Sequence, residues 1–363
     1  MSNINDYIRK YKNISFEEEG FNEVDNLVFC ILTYLDFSNI VSNRRKYIKL
    51  SSAGKKYLDK NSFISISKYG ISQIQAYNIL KQIIDSVRYK DVLLYSYVYI
   101  SDINKQFGAM SFKITKDLTF VAFEGTDYLL SGWKEDFQMS YKFPVPSQYY
   151  AIKYLNKNVG PFDKNIIVGG HSKGGNLALV SSMYCRGYIN KKIKAIYNND
   201  GQGLRKEELE SENYKRIKDR HIHIVPNYSY VGILLKNDNY KVIKSSRRDA
   251  FAHSIMTWKI KDNKLVPSKL STISKNLRKS TNIWLDKHDD ITKKEIITNI
   301  FNALEESNIY DSNDFLNLTK WPDIIKNIDS IDEETKILII NLLKFNIEYL
   351  INNLKTDIMK MII

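Results

Sequence analysis

Gly170-His171-Ser172-Lys173-Gly174 puts a serine between two glycines where a strand gives way to a helix. Ile166-Ile167-Val168 ahead of it reads as a short buried strand, and Asn176-Leu177-Ala178-Leu179-Val180 behind it reads as the start of a helix. A serine on such a turn lifts its hydroxyl above the edge of a sheet, and the flanking glycines tolerate the tight backbone. The N–H of the residue after the serine is the usual first donor to an oxyanion. Lys173 therefore matters more for its amide than for its charge. A glycine-rich turn arising by chance is the competing reading, and the strand and helix on either side favour the nucleophile.

Serine at its free pKa needs a base, and the base needs an acid to orient it. The usual chain order with this turn is serine, then Asp or Glu, then His. The five histidines are His171, His221, His223, His253 and His288. His171 sits inside the turn, with its side chain directed away from the base position. His221 and His223 alternate on a strand, where a polar strand face is the stronger reading than a metal site. His288, in Asp286-Lys287-His288-Asp289-Asp290, reads as the polar lead-in to a helix starting near Thr292. His253, in a loop after every candidate acid strand, is the expected base. Asp200 is the expected acid, because it follows the strand-like Ile193 to Asn198 at the sheet edge where such sites are built. An Asp-Gly turn is its plainer reading, and Asp249 and Asp238 are the alternatives. Glu124-Gly125-Thr126-Asp127 ends another strand, so Thr126 is the candidate second oxyanion donor, with an N–H and a hydroxyl. Gln138 to Tyr150 is rich in aromatic residues and could wall an acyl pocket, form a lid, or pack as an ordinary loop.

These residues need a sheet to carry them. Residues 1–90 read as a mostly helical lead-in, with apolar helical spacing over Phe21 to Phe37 and Ile71 to Val87. From about 92 to 262, strand candidates alternate with helical stretches. They are Val92 to Ile100, Met110 to Ile114, Leu118 to Phe123, Asn165 to Val168, Ile193 to Asn198, His221 to Val225 and Lys241 to Lys244, with Ile255 to Ile260 also strand-like. That alternation predicts an α/β sheet, largely parallel. Beyond 265 the chain reads as helical again. Thr292 and Glu295 have capping-box spacing, and Lys336 to Met361 reads as a long amphipathic helix. The expected division is 1–265 for the sheet domain with its lead-in, and 266–363 for a helical C-terminal region.

Composition narrows the class. With 363 residues the chain can bury a large core. Cys30 and Cys185 alone build neither a disulfide framework nor a zinc knuckle. No signal-peptide-like start or membrane-length apolar run is read, so a cytoplasmic protein is expected. The balance of 54 basic against 41 acidic residues gives +13, spread along the chain and without a nucleic-acid-binding signature. No specific nucleic-acid partner is expected; weak attraction to an anionic membrane surface remains a minor expectation.

Val121 to Asp127, Gly132-Trp133-Lys134-Glu135-Asp136 and Gly169 to Ala178 together resemble lipase-like α/β-hydrolases. The broad relatives are the class 3 (fungal triacylglycerol) lipases; the nearer resemblance is to a bacterial lipase-like family whose domain has no assigned function. Phe21-Asn22-Glu23-Val24-Asp25 and Asp249 to Trp258 resemble that nearer family too, and the similarity spans about residues 15–262. It implies an α/β-hydrolase sheet, Ser172 as nucleophile, His253 as base and Thr126 as oxyanion donor. Two departures stand out. Glu124 occupies the place where class 3 lipases usually have Arg before Gly-Thr. Their acid comes from the strand after the one ending at Asp200, and Val225 to Gly232 here holds no carboxylate. The expected activity is a serine hydrolase of carboxylic esters, on a lipid or an acylated small molecule, with a Ser172–Asp200–His253 triad and no metal or organic cofactor. A thioesterase, amidase or acyltransferase would use the same triad. A non-catalytic lipase-like binding protein is the alternative of a different class.

Overall fold

The computed structural model describes residues 2–66, 70–102, 105–126 and 130–310. Its N-terminal part runs α1 (Ile4–Tyr11), α2 (Glu23–Leu32), β1 (Ile48–Lys49), α3 (Leu50–Lys60), α4 (Phe63–Ile66) and α5 (Ile71–Ile83). The centre follows as β2 (Leu93–Asp102), β3 (Lys105–Lys113), β4 (Leu118–Phe123), α6 (Leu130–Gln138), α7 (Pro146–Asn158), β5 (Asn165–His171) and α8 (Lys173–Tyr184). Then come α9 (Gly187–Asn190), β6 (Ile193–Asn199), α10 (Lys206–Glu210), α11 (Glu212–Lys215), β7 (His221–Pro226) and β8 (Lys241–Ile243). The described chain ends with β9 (Ile260–Lys261), β10 (Lys264–Leu265), α12 (Thr272–Lys287) and α13 (Asp290–Glu306). The expected helix over 336–361 lies outside the described residues.

Strands β1 to β8 form one sheet in sequential order, antiparallel from β1 to β4 and parallel from β4 to β8. This is the α/β-hydrolase sheet the sequence implied. Sequential order has a packing consequence. Right-handed crossovers that always step in one direction leave their helices on one face. That face is where α7 and α8 cover Val121, Phe123, Ile166 and Val168. The other face, carrying Phe120, Ala122 and Ile167, must be covered from elsewhere, and the N-terminal helices α1, α2 and α5 do so. The lead-in is therefore part of the sheet's core.

A buried ionic knot fastens that layer. Asn22 and Asp25 form a capping box at the start of α2. The Asp25 carboxylate also accepts from Tyr7, Tyr89 and Arg88, whose guanidinium lies 2.6 Å away with both side chains wholly buried. Asp25→Ala would strip the acceptor from three buried donors, and we expect a loss of about 3–5 kcal/mol in urea unfolding. A loss under about 1 kcal/mol, the range of exposed pairs, would refute this account of the lead-in.

Two local expectations change. Helix α13 is capped by Asp289, which accepts from the Thr292 N–H, so Thr292 lies inside the helix. Asp at that position bonds the backbone directly and is as good a cap as Thr. Ile255 to Thr257 is a single 3-10 turn, and only Ile260–Lys261 is a strand. The Thr257 hydroxyl and Trp258 indole bond backward to Ser254 and Ala252 carbonyls, 2.7 and 2.9 Å. A short apolar run buried in a turn reads like a strand from sequence. The aromatic stretch 138–150 is largely packing: Met139 and Val145 are buried with Leu235, Tyr141 packs with α6 and α13, and Phe143 lies on Tyr184.

Candidate active site

Ser172 stands between β5 and α8 with φ 57 and ψ −135, a conformation non-glycine residues rarely adopt. Backbone strain of this kind belongs to a nucleophile elbow. The glycines are required by close approach: a Cβ on Gly170 would lie 2.1 Å from the Gly174 backbone. The Ser172 N–H donates to the Asn199 carbonyl on β6 at 3.0 Å, and the Asn199 amide donates back to the Gly170 carbonyl at 3.0 Å. Asn26 of α2 pairs with Asn199 in both directions, 2.9 and 3.1 Å. The elbow is thus tied to the lead-in layer beneath it.

Asp200 directly follows β6, fully buried and with φ 52. His253 Nδ1 donates to Asp200 Oδ2 at 2.7 Å. Ser229 Oγ and the Gly232 N–H donate to Asp200 Oδ1, at 2.5 and 3.0 Å. The loop that supplies the acid in class 3 lipases here supplies two donors to Asp200 instead. Burial pushes the Asp200 carboxyl above the usual range, while the bonds from His253, Ser229 and Gly232 pull it back. Of the alternative acids, Asp249 caps the turn Ala250–His253 and pairs with Arg247. Among the described residues the Ser172 hydroxyl makes no hydrogen bond to His253; such contacts are often loose until substrate is bound.

On the other side of Ser172 lies the Gly125–Thr126 loop. A Cβ on Gly125 would come within 3.1 Å of the Ser172 Cβ. The Thr126 hydroxyl is already engaged, donating to Asp136 of α6. That leaves the Thr126 N–H as the candidate donor, together with the Lys173 N–H, which at the first helical position has no intrahelical acceptor. The Lys173 ammonium is wholly buried and donates to the Gln106 carbonyl and Glu135, at 3.0 and 3.2 Å. Helix α6 therefore grips both candidate donors through adjacent carboxylates.

Desolvation is the main force on Asp136, opposed by Lys173 and Thr126, and pushes it up to about 6 from 3.8. A folded value above the unfolded one means the protonated form favours folding. That contribution is full below about 4 and is lost as pH rises through about 6. Asn stays neutral throughout, so the melting temperature of Asp136→Asn should rise relative to wild type between pH 4 and 7. A difference independent of pH would contradict this.

A family model described as Mbeg1-like matches residues 83–302, more than half of the chain. The chain belongs to the Mbeg1-like family. The Mbeg1-like stretch holds the elbow, the Thr126 loop, α6, Asp200 and His253, while Phe21 to Asp25 lies outside it. No curated protein matches the chain. Among solved structures, a crystal structure of M37 lipase is similar at 16% identity, covering 57% of this chain and 68% of that one, with a TM-score of 0.36. The expectation of a lipase-like α/β-hydrolase stands on the Mbeg1-like match together with this chain's own sheet and elbow.

In this Mbeg1-like chain the remaining histidines serve elsewhere. His221 and His223 lie with rings 5.7 Å apart, and His223 Nε2 donates to the Gly201 carbonyl at 3.0 Å. Burial lowers them to about 3 and about 4. Among the described residues no group of three or more His, Cys, Asp or Glu could hold a metal ion. His288 bonds the Trp284 carbonyl through Nδ1 at 2.9 Å, between α12 and α13. Glu124, in place of the class 3 Arg, is buried against Gly108 of β3 and donates its N–H to the Gly108 carbonyl at 2.9 Å. No helix among the described residues is long and apolar enough to cross a membrane. The reading from residue types missed the Glu135–Lys173 pair, the clasp of Asp136 on Thr126, and the donors on Asp200. Its only trace of the first two was the Gly132 to Asp136 motif.

Proposed function

We propose that this Mbeg1-like protein is a serine hydrolase of carboxylic esters. The observation that carries the proposal is the 2.7 Å bond from His253 Nδ1 to a buried Asp200, beside a strained serine elbow. With the proton on Nδ1, the His253 Nε2 lone pair is free to take the Ser172 proton as Oγ attacks the ester carbonyl. The N–H groups of Thr126 and Lys173 stabilise the tetrahedral oxyanion. His253 then returns the proton to the leaving alcohol, giving an acyl-serine. Water, activated by the same base, hydrolyses it. The substrate class we propose is a lipid ester or acylated small molecule, with weak attraction of the basic surface to anionic lipid. A fluorophosphonate probe tests the reading: stoichiometric labelling of the folded wild type is expected, and no labelling would overturn it.

A further inference from the structure

His171, set aside from the catalytic roles on sequence grounds, makes two bonds that the reaction scheme does not use. Its Nε2 bonds the backbone carbonyl of His253 at 2.9 Å, and its Nδ1 bonds the Tyr34 hydroxyl at 3.0 Å. Its ring lies 4.5 Å from the His253 ring, tilted by 33°. A carbonyl can only accept, so Nε2 must carry the hydrogen. The neutral ring then has a lone pair on Nδ1, which accepts from the tyrosine O–H. Burial, reinforced by the neighbouring His253, lowers His171 to about 3, so the ring is neutral near pH 7, and its two bonds fix the tautomer. We propose that His171 is a positioning residue for the base, fixing the His253 backbone and ring face from inside the elbow.

Three features make this more than a packing contact. His171 is the last residue of β5 and the residue immediately before Ser172, so nucleophile and base are registered through adjacent residues of the chain. Tyr34, just beyond α2, reaches both sides of the site: a Cβ on Gly125 would lie 2.1 Å from its hydroxyl. One phenol therefore braces the oxyanion loop and sets the His171 tautomer. Finally, the loop holding His253 is also restrained at the imidazole, by the Asp200 bond and by Tyr230 packed on its ring with centroids 5.6 Å apart. It consists of a 3-10 turn capped by Asp249, with Ser254 bonded to Gln75 at 3.1 Å and the Trp258 indole on Ala252. Among these restraints only the His171 bond falls on the carbonyl of the base itself.

The inference rests on the serine hydrolase reading, and the test separates the two. Wild type that fails to label with fluorophosphonate defeats that reading before any variant is compared. With labelling established, His171→Leu and His171→Gln fill similar volume, but only Gln can donate to the His253 carbonyl. On a p-nitrophenyl ester, His171→Leu should lose about 10–100-fold in kcat with KM nearly unchanged, the cost of a misplaced base. His171→Gln should recover most of that loss at the same KM. Tyr34→Phe, which leaves the ring in place but removes its donor, should lose kcat by a smaller factor. Equal rates for Leu and wild type, or Gln as impaired as Leu, would overturn the proposal. So would a loss confined to KM, which a purely structural disturbance of the pocket would give.

Discussion

Ser172→Ala is expected to lower ester turnover by about five to six orders of magnitude and to abolish fluorophosphonate labelling, with folding retained. The size follows from the way a triad acts as a unit, so removing the nucleophile removes nearly all of its effect. Whatever survives comes from the oxyanion donors and from binding alone. Folding should be retained because alanine meets the same backbone at φ 57 as serine does. Ser172 contributes its N–H to the Asn199 carbonyl, which alanine keeps. Active-site titration with the probe, followed by steady-state kinetics on a p-nitrophenyl ester, measures both. A Ser172→Ala protein that turns over ester within about a hundred-fold of wild type would place the chemistry elsewhere, since even one oxyanion donor is worth more.

Asp200→Asn is expected to lower kcat by about 10³–10⁴-fold with little change in KM, through the His253 tautomer. The carboxylate Oδ2 accepts from Nδ1, which leaves Nε2 as the acceptor for the serine proton. An asparagine can keep the Ser229 and Gly232 bonds on its oxygen, so its amide nitrogen faces the ring. Being a donor, that nitrogen turns the hydrogen of His253 to Nε2, where it blocks proton transfer. Asp249→Asn, which loosens a turn cap and an ion pair without touching the ring, is expected to cost far less. Equal losses from the two substitutions, or an unaffected Asp200→Asn, would remove Asp200 from the triad. Comparing kcat of the purified variants at one pH decides it.

The candidate site was legible wherever it follows the chain locally. The elbow reads from five residues, because glycines at fixed offsets and the switch from strand to helix are local constraints. Asp200 and His253 are placed by order along the sheet, since strand ends carry the sites of α/β folds. Strand β4 matches its expected limits, while β5 and β6 each run one to three residues further than the apolar pattern. Their extra residues, Gly169 to His171 and Asn199, are polar or small, and they are held in the sheet by partners no local pattern shows.

Other parts depend on residues far apart in sequence. The sequence by itself determined the setting of Ser172 between strand and helix, the alternation that builds the sheet, and the order of the candidate acid and base along it, because each is written in neighbouring residues or in strand succession. Only the tertiary structure decided which donors complete the acid, that Lys173 is buried on Glu135, and that Asp136 claims the Thr126 hydroxyl. It also set His171 against the His253 backbone carbonyl. The physical reason is the same each time. A buried polar group must find a partner, and which partner it finds depends on segments brought together by packing, 82 residues apart for His171 and His253.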